Sequence, residues 1–180
     1  PTALTGDLQA ASNIEAPEQI VIHEAWIEQL MFDDRLSVLF GLHDLNADFY
    51  ASDYAGLYLN SSFGIGPEVG GNVGSSLYPR PGLGLRARVN PIENFYIQGA
   101  LYDGTPTPRV FSRKADGIMG IVEVGFASEV GSYKAGYWVH TLDVNYNGMA
   151  FKDNKGAYLL IDQQLMAFSD ESNLGLFGTY

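Results

Sequence analysis

The sequence predicts an all-β protein, an antiparallel up-and-down transmembrane β-barrel, and three observations predict it. Apolar-rich segments of about ten residues recur along the chain, the length a tilted membrane-crossing strand needs. Within them apolar and polar residues alternate, so one face of each strand is oily and the other wet. The connections alternate too, tight and polar at one end, long at the other, as turns and loops do in such barrels. A half-buried sheet of a soluble protein shows the same two-residue period, but it has no reason to sort its connections.

Residues 1–18 are polar and read as a lead-in, and residues 19–180 as the barrel segment. Pro1 to Gly6 lack the basic start and apolar core of a signal peptide. The expected strands are Ile20–Phe32, Leu36–Leu45, Leu83–Asn90, Phe95–Tyr102, Gly117–Ser128, Tyr133–Val144, Ala157–Ser169 and Leu174–Tyr180. Tight turns fall at Asp33–Arg35, Pro91–Asn94, Glu129–Ser132 and Asp170–Asn173. Long connections run over Asn46–Gly82, Asp103–Asp116 and Asn145–Gly156. In the third strand Leu83, Leu85, Ala87 and Val89 share one face, and Gly84, Arg86 and Arg88 the other. In the second, Leu36, Val38, Phe40 and Leu42 oppose Ser37, Gly41 and His43. The first long connection exceeds ordinary loop length. Its Leu57–Asn60 stretch is expected to form a short strand, and the loop either folds inward or caps the barrel.

Composition narrows the function. With 21 glycines and 13% aromatic residues, strands and turns are favoured over helices. A net charge of −11 and a pI near 4.4 argue against a nucleic-acid partner. There is no cysteine, hence no disulfide framework or thiolate metal site. His23, His43 and His140 fall on different strands, with no nucleophile–base grouping or metal-ligand spacing, so no catalytic residue, metal or cofactor is expected. Gly64-Ile65-Gly66 with Gly70 and Gly71 has the wrong spacing for a phosphate loop and is interrupted by Pro67. Asp143, Asn145, Asn147 and Gly148 open like a calcium loop, but Asn154 stands where the bidentate acid belongs, and a hairpin turn explains them better.

Three stretches carry a family resemblance. They are GDLQAASNIEAP (Gly6–Pro17) leading into HEAWIEQ (His23–Gln29), then GLHDLNADFYASDYAGLYLNSSFGIGPE (Gly41–Glu68), and LGLRARVNPIENFYIQGALYDG (Leu83–Gly104). YKAGYWVHT and AYLLIDQQL continue it more weakly. The chain resembles the carbohydrate-selective porins of Gram-negative outer membranes. The resemblance implies a water-filled barrel of about 16 strands, of which this chain holds about half. It implies passive diffusion of monosaccharides such as glucose, with outer-membrane lipid outside. It leaves the oligomeric state open, a homo-oligomer being compatible with it. The alternative is a closed eight-stranded structural or adhesion barrel, whose interior side chains would fill.

A sugar passage needs hydrogen-bonding groups, charges and aromatic faces, all binding weakly enough for exit. The wet phase supplies Glu24, Trp26, Glu28, His43, Arg86, Arg88, Tyr96, Gln98, Glu123 and Trp138, besides Lys134, Asp162 and Gln164. Arg86 and Arg88 belong inside because a cation on the lipid face near the midplane costs ~2–4 kcal/mol. Glu68 and Arg80 of the long connection are further constriction candidates. Each of these charges could equally do no more than solvate a wet wall. Trp26 and Trp138 could belong to an interfacial girdle, for which Tyr133 and Tyr137 are better placed.

Overall fold

Alternating segments of this kind cannot satisfy their backbone groups alone, and they do so by pairing with their sequence neighbours. The computed structural model describes residues 20–70, 75–79, 81–105, 117–146, 149–152, 154–169 and 172–180. The lead-in, Gly71, Arg80, most of Asp103–Asp116, the Asn147-Gly148 pair and the start of the last turn lie outside the described residues.

Eight strands form one antiparallel meander: β1 Ala25–Met31, β2 Leu36–Leu42, β3 Leu83–Ile92, β4 Phe95–Asp103, β5 Ile118–Ser128, β6 Gly131–His140, β9 Asn154–Ser169 and β10 Ser172–Thr179. A separate hairpin, β7 Val144–Tyr146 with β8 Met149–Phe151, stands in the connection before β9. Each of the eight expected barrel strands is present, with shifted ends. The expected start at Ile20 is five residues early. Leu42 is the last residue of β2 paired to β1, opposite Ala25, after which the His43 N–H turns to the Gly82 carbonyl. Residues 20–24 therefore have no ladder to join. The expected strand at Leu57–Asn60 does not form either; Ala55–Leu57 is a 3-10 turn followed by coil. A closed eight-stranded barrel is also overturned, because β1 and β10 are the two ends of the sheet and do not pair.

Cross-strand register makes the two faces explicit. One row runs Val38, Ala87, Gly99, Val122, Tyr137 and Ala157, the next Leu36, Val89, Ile97, Val124, Ala135 and Leu159. Both are uncharged. This face is the exposed one: Leu85 is 47% exposed, Val122 55% and Leu159 52%. The opposite face carries the polar groups, and they are buried: Arg86 at 5%, Gln98 at 2% and Glu123 at 1%. Oil outside and charge inside inverts a water-soluble domain and suits a wall between lipid and a lumen. Phe95, Phe126 and Tyr133 form a row toward the short-turn end, where an aromatic belt belongs, whereas Tyr137 lies further in. Among the described residues no helix is long and apolar enough to cross a membrane.

This inversion gives a direct prediction. Val122→Arg puts a cation in the middle of the outer face and should destabilise the folded state in lipid by ~2–4 kcal/mol. The same change at an exposed site of a water-soluble sheet would cost little. Urea unfolding of the protein in vesicles, with Val122→Leu as control, distinguishes the two.

The core lies on the inner side. The described part of the connection between β2 and β3, residues 43–70, 75–79, 81 and 82, packs on the inner face of the wall, with two short helices, α1 Leu45–Asp48 and α2 Pro67–Gly70. Leu45, Phe49, Tyr50 and Val69 of this connection pack on Ala100, Tyr102, Met119, Ile121, Trp138, Tyr158 and Leu160 of the wall. Helix α1 begins here because Asp44 caps it, its side chain accepting from the Asn46 N–H. The second Asp44 oxygen accepts from the Tyr78 N–H and ties the far end of the connection to the near one. Burial raises the Asp44 carboxyl above its ordinary range, against the pull of those two amides.

Candidate functional site

The inward connection presents a strap, residues 48–53, to a row of wall side chains taken one from each successive strand. Alternation puts Arg86 of β3, Gln98 of β4, Glu123 of β5, Lys134 of β6 and Asp162 of β9 on the same inner face. Each meets the strap in chain order. Arg86 Nε donates to Asp48 Oδ2 at 2.9 Å, and Gln98 Nε2 donates to the Asp48 carbonyl at 2.7 Å. The Tyr50 N–H donates to Glu123 Oε2 at 3.1 Å, and Lys134 Nζ donates to the Ala51 carbonyl at 2.6 Å. Asp162 accepts from Ser52 Oγ at 2.5 Å and from the Asp53 N–H at 3.1 Å. Beyond it Tyr54 lies over Gly175 of β10, and Tyr58 and Phe63 pack on Phe177.

Two clusters hold the near part of this arrangement. In the first, Arg86 bridges Asp48 of the strap and Glu28 of β1 at 3.1 Å, and donates to Ser37 Oγ, which in turn donates to Glu28. His43 Nε2 stands 3.4 Å from the same Asp48 oxygen, and its Nδ1 shares a 2.8 Å hydrogen bond with the Tyr102 hydroxyl. In the second, Glu123 is surrounded by donors. Tyr96 Oη at 2.8 Å and Gln98 Nε2 at 2.9 Å reach Oε1, and Tyr158 Oη at 2.7 Å joins the Tyr50 amide on Oε2. Only an acceptor-only group can serve four donors at once. Glu68 of α2 lies by the Tyr50 hydroxyl, which burial and that carboxylate push far above the usual phenol range.

The wet-phase residues read from the sequence therefore divide. Glu28, His43 and Arg86 meet around Asp48, and Tyr96, Gln98 and Glu123 meet under Tyr50. Lys134 and Asp162 hold the far half of the strap. Trp138 faces inward but is 3% exposed, covered by the strap and lying against Gly156. Glu24 accepts from the Asp44 N–H at 2.8 Å, away from the strap. Trp26 stays 46% exposed, edge-on to His43. Arg88 lies over the Tyr96 ring at 4.0 Å, half-buried, with Nε donating to Asn90. Gln164 borders a small recess with Asp53, Ser132 and Asp162. Arg80 is outside the described residues. Sequence reasoning passed over Asp48, Tyr50 and Tyr158. Tyr158 shares the phase of Asp162 and was available from alternation, whereas nothing in the local pattern marks Asp48.

Among the described residues the arrangement is a polar wall with a chain segment held against it.

Residues 4–180 match the model of the family described as carbohydrate-selective porin, OprB family. Among solved structures the chain is similar to OprB of Pseudomonas putida in its high-pH structure, at 25% sequence identity and a TM-score of 0.63. That likeness covers 79% of this chain and 40% of the other, so the chain spans less than half the length of its structural relative. A comparison with curated proteins found no match. A family match over nearly the whole chain, on a sheet with lipid-type and lumen-type faces, leads to one assignment: the chain belongs to the carbohydrate-selective porin, OprB family.

Proposed function

We propose that this chain supplies wall and constriction of a water-filled outer-membrane channel for the passive, carbohydrate-selective diffusion of monosaccharides such as glucose. The observation that carries this reading is the strap seated on a polar inner wall, opposite an apolar outer face. A pore narrowed to the size of a small solute discriminates by width and by hydrogen bonding, with no chemistry required. Because Arg86, Gln98, Glu123, Lys134 and Asp162 are committed to the strap, their part in permeation is to place it. Trp26, Glu28 and Arg88 keep open surface, and these are the groups we assign to the passing sugar: a ring face, an acceptor and a donor fork. Family membership puts the chain in the bacterial outer membrane, and the exposed apolar rows such as Val38–Val122–Tyr137 are the surface we assign to lipid.

Liposome swelling tests the reading. Vesicles carrying the whole protein should swell in isosmotic glucose and much less in a trisaccharide. Vesicles impermeable to glucose would end the proposal. Arg88→Ala and Trp26→Ala should change the ratio of the two rates while the heat-modifiable mobility of the folded barrel stays as in the parent.

A further inference from the structure

We infer that Glu123 is the positioning residue that fixes the height of the strap in the lumen, and so the width of the passage. The inference deepens the proposed channel reading and rests on it. Glu123 sits mid-strand in β5 and is 1% exposed. It stands under the middle of the strap, whereas Arg86 and Asp162 hold the two ends. Its four donors come from three separate pieces of the molecule: Tyr96 and Gln98 from β4, Tyr158 from β9, and the Tyr50 amide from the strap. Three wall donors orient the carboxylate before the strap arrives, so one oxygen is already aimed when the Tyr50 N–H reaches it.

Tyr50 bears the mark of that hold. Its φ is +56°, a left-handed conformation that a bulky side chain avoids unless surrounding contacts impose it. Those contacts include its amide on Glu123 and its ring against Tyr158, with centroids 4.5 Å apart, beside the Asn46 side-chain amide that donates to its carbonyl and Glu68 at its hydroxyl. Tyr158 in turn donates to Glu123. The carboxylate thus holds both the strap backbone and the ring against which the strap packs. A glutamine at this place has the same shape, but its amide nitrogen cannot accept from the Tyr50 N–H while its oxygen serves Tyr96 and Gln98.

The test uses the whole protein in lipid, with a nitroxide on Gly56→Cys. Gly56 lies three residues beyond the strap's far end, in the 3-10 turn that follows it, with open space around its Cα, and this chain has no native cysteine. Glu123→Gln should sharpen the nitroxide spectrum and change single-channel conductance about twofold or more, the width of the passage being what the strap sets. The folded barrel should keep its heat-modifiable mobility. Tyr158→Phe, which removes one donor and keeps the ring, should shift both readouts the same way by less. A folded Glu123→Gln barrel with parental spectrum and parental conductance overturns the inference. Should that variant not fold, Tyr158→Phe and Tyr96→Phe decide, and parental values in both overturn it equally. Failure of the parent to pass glucose would instead strike the channel reading, and the nitroxide spectra would still report whether Glu123 holds the strap.

Discussion

Arg86→Ala should cost about 3 kcal/mol or more of folded stability in lipid, and should free the near end of the strap. Arg86 is buried between two carboxylates, Asp48 at 2.9 Å and Glu28 at 3.1 Å, with Ser37 as a further acceptor. Removing the guanidinium leaves two acids without their cation, Asp48 half-buried at the near end of the strap and Glu28 open to water at the lumen side. The penalty comes from those unpaired charges more than from the lost attraction. Lysine should rescue less than half of the loss, because one ammonium cannot span three acceptors the way a planar fork does. A double-mutant cycle with Asp48→Ala isolates the strap contact from the Glu28 contact. Denaturant unfolding in vesicles supplies the free energies, and single-channel traces of the surviving barrels should be noisier than the parent's. Coupling near zero between Arg86 and Asp48 would remove the ion pair from the account of how the strap is held.

The wall was legible in the sequence and the strap was not, and the reason is physical. Lipid imposes a two-residue period on every strand, so the phases of Val122 and Glu123 can be read without knowing the fold. The same argument placed Arg86 and Arg88 inside, where they are. It fails where the strap covers the wall. Met119, Ile121 and Leu160 stand in the wet phase yet are apolar, because Leu45, Phe49 and Val69 cover them. The strap takes its path from groups distant in sequence: Asp48 meets Arg86 across 38 positions, and Ser52 meets Asp162 across 110. No local pattern encodes such pairings. The apolar Leu57-Tyr58-Leu59 run therefore suggested a strand, but no neighbouring strand offers it a ladder, and a 3-10 turn and coil take its place. The Asn- and Gly-rich stretch after Asp143 reads as a hairpin turn and the β7–β8 hairpin forms there, but its strands stayed hidden, being three residues each and too short to show a period.

Gly136→Ala should destabilise the sheet by about 3–5 kcal/mol, far more than a single methyl usually does, combining overpacking with loss of a hydrogen bond to a charged group. Gly136 and Tyr158 are cross-strand partners, and the tyrosine ring lies over the glycine. A Cβ there would stand 2.0 Å from the ring's Cζ and 2.4 Å from its hydroxyl, so the ring must leave. Leaving takes the hydroxyl off Glu123 and the ring off Tyr50, and the disturbance reaches the strap through both. The motif recurs along the inner face: Tyr102 covers its partner Gly84, Tyr96 covers Gly125, and Trp138 covers Gly156. An aromatic ring laid across the neighbouring strand shields backbone that glycine would leave bare, and it lies flat enough for the strap to pass above. Outer-face glycines have no such burden. Gly120 would place a Cβ 3.5 Å from Leu101 and Val139, an ordinary contact, so Gly120→Ala should be close to neutral. Gly136→Ala combined with Tyr158→Ala should be less than additive, because the ring that clashes is then absent. Equal losses for Gly136→Ala and Gly120→Ala would mean that glycine is selected here for the chain's own flexibility rather than for the ring that covers it.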